Sequence, residues 1–166
     1  MNLYFLRHGL AGNREDWKGA DRERPLTEEG VKKMKKAAKG LRELDAHFDW
    51  ILTSPYRRAY DTARLVAQAS GGLKNLRISN SLAPDGDATA LLRHLARDFR
   101  AWESILLVGH EPALSRFIGV LLGIQHTAAL DFKKGSLCKL TAPSLTYGPC
   151  ATLEWLLPSK ILRALA

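Results

Sequence analysis

The sequence predicts an α/β fold: a three-layer sandwich whose central sheet is mainly parallel and whose helices cover both faces. Three observations predict it. Strand-like runs at Leu3–Leu6, Asp49–Thr53 and Ile105–Val108 each pass through a polar turn into an amphipathic or apolar stretch, so one strand–turn–helix plan is used three times. Such alternation implies parallel strands joined by right-handed crossovers. The chain of 166 residues is 46% apolar and 25% charged, the balance of a globular protein able to bury a core, and its length argues for one domain spanning residues 1–166.

Each element has its own sequence logic. Leu3–Leu6 is a buried strand that ends at once in Arg7-His8-Gly9. Gly9–Pro25 is polar, of mixed charge and without period, the pattern of a surface loop of the kind that carries function. Thr27 caps the next helix, Glu28 and Glu29 suit its positive end, and Val31, Met34, Ala38, Leu41 and Leu44 mark its buried face. After the strand Asp49–Thr53, Ser54 is expected as a cap, Pro55 at the first helical position, and Tyr56–Ser70 as a helix stopped by Gly71-Gly72. Leu76–Ile78 reads as a short strand, Leu82–Gly86 as a turn-rich loop, and Asp87 as the cap of a helix running to about Arg100. Ile105–Val108 is a buried strand, and Gly109-His110-Glu111-Pro112 leads from it into an apolar helix ending at Gly123. Ser136–Thr141 and Ala151–Leu156 are two final strands around a loop containing Pro, Gly and Tyr.

Composition narrows the class. Lys and Arg number 25 against 17 Asp and Glu, a net charge of +8 that favours negatively charged partners. The apolar stretch Ile105–Ile124 is broken by His110, Glu111 and Arg116, short of the roughly 20 clean residues a bilayer needs, so no membrane partner is expected. The N-terminus lacks a basic stretch leading into a long apolar run, and a cytoplasmic location is expected. Cys138 and Cys150 are too few for a disulfide framework and match no zinc-ligand spacing; two buried thiols are expected.

In open α/β sheets ligands bind beyond the carboxyl ends of the strands. Here those ends deliver Arg7-His8, then Thr53-Ser54 with Arg58 one helical turn on, then Gly109-His110. Two histidines and two arginines beside helix N-termini form a site for a small, highly charged anion such as phosphate. These residues resemble the histidine phosphatase superfamily. Leu6-Arg7-His8-Gly9 matches its first block, and Ser54-Pro55-Tyr56-Arg57-Arg58-Ala59-Tyr60-Asp61-Thr62-Ala63 matches its Ser-x-x-x-Arg-Ala-x-x-Thr-Ala block at every fixed position. Pro25-Leu26-Thr27-Glu28-Glu29-Gly30 and Val108-Gly109-His110 resemble two further blocks, in the family's order. Within the superfamily the compact length, the segment Leu82–Asp87 and the ending Trp155–Pro158 resemble the small SixA-type phosphohistidine phosphatases.

The resemblance implies a phosphoglycerate mutase-like fold and a phosphatase that works without metal or other cofactor. It implies His8 as nucleophile, Arg7 and Arg58 as ligands of the phosphoryl oxygens, and His110 as a further donor to them. Arg57 competes with Arg58, but adjacent helical residues point about 100° apart and the family spacing selects Arg58. Asn13 is a candidate substrate contact, because relatives carry an asparagine after Arg-His-Gly. One departure is informative. Relatives that cleave phosphate esters carry a carboxylate general acid where this chain has Ser81-Leu82-Ala83-Pro84. General-acid help is worth roughly 10² to 10⁴, and an alkoxide leaving group needs it far more than an imidazole of pKa about 6.5. The expected substrate is therefore a phosphohistidine-bearing protein such as a phosphotransfer domain, with phosphate as product; Asp85 or Asp87 acting as acid on small esters is the alternative.

Other readings compete at single positions. Asp87 is also a helix cap, and His47, His94 and His126 lack any partner pattern and are expected to be structural. The run Lys32–Lys39 reads as a solvated helix face rather than a nucleic-acid site, because it lacks interleaved aromatics. Ser144 and Leu156 stand where a cysteine phosphatase built on Cys138 or Cys150 would need its arginine, and Leu114 stands where a zinc protease motif at His110-Glu111 would need its second histidine. A non-catalytic basic module that binds phosphoproteins or nucleic acid is the remaining class.

Overall fold

The computed structural model describes residues 1–99, 102–124 and 130–166. Arg100, the expected helix end, and His126 lie outside the described residues. One six-stranded sheet has the order β3-β2-β4-β1-β5-β6, from β1 (Asn2–Arg7), β2 (Trp50–Thr53), β3 (Leu76–Ile78), β4 (Ser104–Gly109), β5 (Leu137–Thr141) and β6 (Thr152–Leu157). The first four strands in that order run parallel, and β5 and β6 are antiparallel additions.

Central β1 and β4 explain their unbroken apolar sequences, because alternate residues go to opposite faces and both faces are covered. Leu3, Phe5, Ile105 and Leu107 join one core with Leu91 and Leu95 of α3 (Ala88–Asp98) and Leu114, Phe117 and Leu121 of α4 (Ala113–Leu122). Leu6, Leu106 and Val108 join the other with Met34 and Leu41 of α1 (Glu28–Arg42) and Ala63 and Val66 of α2 (Arg57–Ser70). The chain leaves β1 towards β2 on one side and leaves β4 towards β5 on the other. Their adjacent carboxyl ends are therefore a topological switch point, where such sheets open a crevice.

Capping agrees with the sequence in most places. Thr27 Oγ1 accepts from Gly30 N at 3.0 Å, Asp87 Oδ2 accepts from Ala90 N at 2.9 Å, and α2 and α4 end at the left-handed Gly71 and Gly123. Two expectations are corrected, and one element was not anticipated. The α2 helix starts at Arg57 with Tyr56 as its cap residue, so Ser54 is not the cap and Pro55 is not its first residue; the Ser54 hydroxyl accepts from Tyr56 N at 3.2 Å within the preceding turn. Cys138 is buried but Cys150 is only half-buried, because it lies on the loop before β6, where its thiol donates to Thr146 O at 3.3 Å. The tail after Pro158 forms a further helix, α5 (Ser159–Ala164), which buries Leu162 against α1.

That packing depends on Gly40, where an added Cβ would overlap the Leu162 carbonyl oxygen. Gly40→Ala is expected to lower stability by about 1–3 kcal/mol, the usual cost of overpacking, although alanine is the better helix former. Urea unfolding checks this: the midpoint falls while the slope is unchanged.

Candidate active site

Backbone bonds lace together the ends of β1, β2 and β4 and so fix the residues just beyond them. His8 N donates to Gly109 O at 3.1 Å and Ser54 N to Val108 O at 3.0 Å. His8, Ser54 and His110 therefore leave adjacent strands at one level. The rings of His8 and His110 stand with centroids 4.9 Å apart, at 55° to each other, and are 5% and 2% exposed.

The Ser-x-x-x-Arg-Ala-x-x-Thr-Ala block is now explained residue by residue. Arg58, 4% exposed, directs Nε at His8 Nε2 at 3.3 Å. Thr62, one turn further, accepts from Gly9 N at 3.0 Å and donates to Arg58 O at 2.7 Å, tying the turn at His8-Gly9 to α2. Ala59 and Ala63 are fully buried, small enough to let α2 approach the sheet. Ser54 Oγ lies 2.9 Å from His110 Nε2. Gly9 is required because a Cβ there would press on Met34 of α1. Arg57 points away, 3.7 Å from Asp61 on the helix surface.

His8 Nδ1 lies 2.8 Å from Gly9 O. A carbonyl only accepts, so Nδ1 carries the hydrogen and Nε2 keeps its lone pair, which is where Arg58 donates. Burial foremost, then the neighbouring His110, Arg58 and Arg7, hold His8 well below the ordinary histidine range, against a smaller opposing effect of the Gly9 bond. Burial and the charge of Arg58 push His110 down to about 3. Both rings are neutral at pH 7.

Arg7 donates Nη1 to Phe132 O at 2.8 Å. Its Nε, like His110 Nδ1, is buried without a hydrogen-bond partner among the described residues. Arg58 is held from behind by Asp21, which accepts from Nη1 through its carbonyl at 2.9 Å and from Nη2 through Oδ2 at 3.0 Å. Arg24 binds the same carboxylate at 2.9 Å. Burial raises the pKa of Asp21, but the hydrogen bond from Arg24 and the charge of Arg58 outweigh it, and the carboxyl is held below its usual range. The sequence reading missed Asp21, and its only signal was membership of the functional-looking loop Gly9–Pro25.

Four sequence candidates thus converge, and three do not join them. Asn13 is exposed, with its amide donated to Asp16 at 3.1 Å. Asp87 is exposed and its carboxylate caps α3; Asp85 is exposed as well. His47 pairs with Asp45 at 3.0 Å, while His94 bonds Ser79 at 2.8 Å and lies 3.3 Å from Asp98, both apart from the crevice. Among the described residues no group of three or more His, Cys, Asp or Glu could hold a metal ion.

The buried neutral histidines tie stability to acidity. In the unfolded chain His110 takes a proton near pH 6.5, whereas folded it resists to about 3, so the unfolded state binds more protons below 6.5. Stability contributed by keeping it neutral is complete above pH 6.5 and is lost progressively from there towards 3. Over that window the urea midpoint of His110→Asn is expected to decline less steeply than that of the wild type.

The family model of the histidine phosphatase superfamily (branch 1) matches residues 3–83. A phosphohistidine phosphatase SixA homolog of Haemophilus influenzae is 31% identical over 132 residues, covering 74% of this chain and 78% of that relative. An uncharacterized protein of Picosynechococcus is 38% identical over 145 residues, 84% of each chain. Among solved structures, the protein histidine phosphatase SixA complexed with tungstate superposes with a TM-score of 0.83 at 22% identity, over 98% of this chain and 99% of that one. A mycobacterial glucosyl-3-phosphoglycerate phosphatase reaches a TM-score of 0.72 at 18% identity, over 93% and 97% of the two chains. The fold is the phosphoglycerate mutase-like one, and the chain belongs to the histidine phosphatase superfamily, with the SixA-like phosphohistidine phosphatases.

Proposed function

We propose that this hydrolase removes phosphate from phosphohistidine on a protein through a phospho-His8 intermediate. The observation that carries the reading is the state of His8: a neutral ring whose Nε2 lone pair faces the Arg58 guanidinium. Nε2 attacks phosphorus in line, the new N–P bond forming as the substrate's N–P bond breaks. As phosphorus takes the lone pair, the Arg58 Nε hydrogen passes to a phosphoryl oxygen as a hydrogen-bond donor. Arg7 Nε donates to another. With Ser54 donating its hydroxyl hydrogen to His110 Nε2, the His110 hydrogen sits on Nδ1 and completes the set of donors. Water then attacks phospho-His8, takes the phosphoryl group as phosphate and restores the lone pair.

The leaving group selects between substrates. Asp21 is a carboxylate bonded to the site arginine Arg58, and its hydrogen bonds from Arg24 and Arg58, with Arg14 at 3.6 Å, keep it ionised, unsuited to protonating an alkoxide. Asp87 is engaged at the start of α3. An imidazole leaves without such help, because its own reference pKa is near neutrality. The proposed setting is cytoplasmic, with no metal and no other cofactor; no helix among the described residues is long and apolar enough to cross a membrane.

Side-by-side turnover tests the reading. Phosphohistidine protein is expected to be hydrolysed in the presence of a metal chelator and faster than simple phosphate monoesters; exclusive ester turnover would move the assignment to a small-molecule phosphatase. His8→Ala is expected to abolish turnover, and Arg58→Gln to reduce kcat by about 10² to 10³, the usual effect of deleting one donor to a transition-state oxyanion.

A further inference from the structure

A turn from the far end of the chain sets another cation beside the crevice. Phe132 O accepts from Arg7 at 2.8 Å, and Gly135 N donates to both Arg7 O and His8 O, at 3.0 and 3.1 Å. Ser136 N closes the turn on Lys133 O at 2.9 Å. Lys134 is thus held between pinned neighbours, one peptide from a group bonded to the His8 carbonyl, with its side chain reaching solvent. Partial burial and then the charges of Arg7, Arg24 and Arg58 hold its ammonium below the usual lysine range, so it stands within the field of the site.

The carboxylates around it are already engaged. Arg24 at 2.9 Å, Arg58 at 3.0 Å and Arg14 at 3.6 Å share Asp21, and Lys133 is bound to Asp131 at 3.0 Å. Among the described residues Lys134 has no carboxylate within 4.0 Å. An ammonium without a carboxylate partner, within the field of three guanidinium groups, is relieved by an anion that arrives with the substrate. A single compact charge on a flexible stem suits a single negative charge better than a second phosphoryl group. We infer that Lys134 forms an anion subsite at the lip of the crevice, which takes a carboxylate side chain beside the phosphohistidine of the substrate protein.

The subsite rests on the phosphohistidine reading, and binding separates the two. The probes are peptides carrying a non-hydrolysable phosphoryltriazole in place of phosphohistidine, flanked either by Asp and Glu or by Asn and Gln. Wild type is expected to bind the acidic peptide about 2- to 5-fold more tightly, the range of a solvent-exposed ion pair. Lys134→Gln is expected to bring the ratio to about one, and Lys134→Arg to keep it. Equal binding of both peptides by wild type, or a ratio that survives Lys134→Gln, overturns the subsite. Failure of wild type to bind either peptide overturns the subsite together with the phosphohistidine reading. The expected preference without turnover of an authentic phosphohistidine peptide supports the subsite and contradicts the catalytic reading alone.

Discussion

A histidine that attacks phosphorus must keep its lone pair while standing among cations strong enough to hold a dianion. In the proposed mechanism His8 meets both demands in one place. Burial foremost, then His110, and to a smaller extent Arg58 and Arg7 favour the neutral ring, and in the proposed mechanism the same guanidinium groups are the ligands the oxyanion needs. The bond from Nδ1 to Gly9 O chooses which nitrogen is free. That bond holds only if the turn after β1 is rigid, and Thr62, Met34 and Gly135 fix it from three directions.

Sheet topology makes the arrangement possible. Side chains far apart in the chain meet because β1, β4 and β2 are parallel neighbours whose ends lie level, and the connections leaving β1 and β4 depart in opposite directions. The backbone then needs no long loop to bring His8 and His110 together. A site built at strand ends borrows its precision from two cores, one on each face of the sheet.

The legible part of the sequence was the part written in local patterns. Arg7-His8-Gly9, the spacing from Ser54 to Thr62, and Gly109-His110 each combine a strand end with side chains that the structure brings together, so fold and candidate site could be read together. Contacts that cross the chain were hidden. Asp21 reaches Arg58 over 37 residues from a loop without period, and nothing local marks it. Ser54 has the sequence context of a helix cap, yet its hydroxyl faces His110, 56 residues away. The α5 helix is too short to show a period, and its place depends on a glycine of α1. Asp87 illustrates the reverse case: its cap role was readable, and that role accounts for its carboxylate.

The protonation of His8 tests this chemistry most directly. Long-range ¹H–¹⁵N NMR of ¹⁵N-histidine-labelled protein, assigned with His8→Ala, reads both ring nitrogens as pH is lowered. The expected result is a neutral ring with hydrogen on Nδ1 at pH 7 that stays neutral well below the ordinary histidine pKa of about 6.5. An imidazolium at pH 7, or a neutral ring with its hydrogen on Nε2, would contradict it.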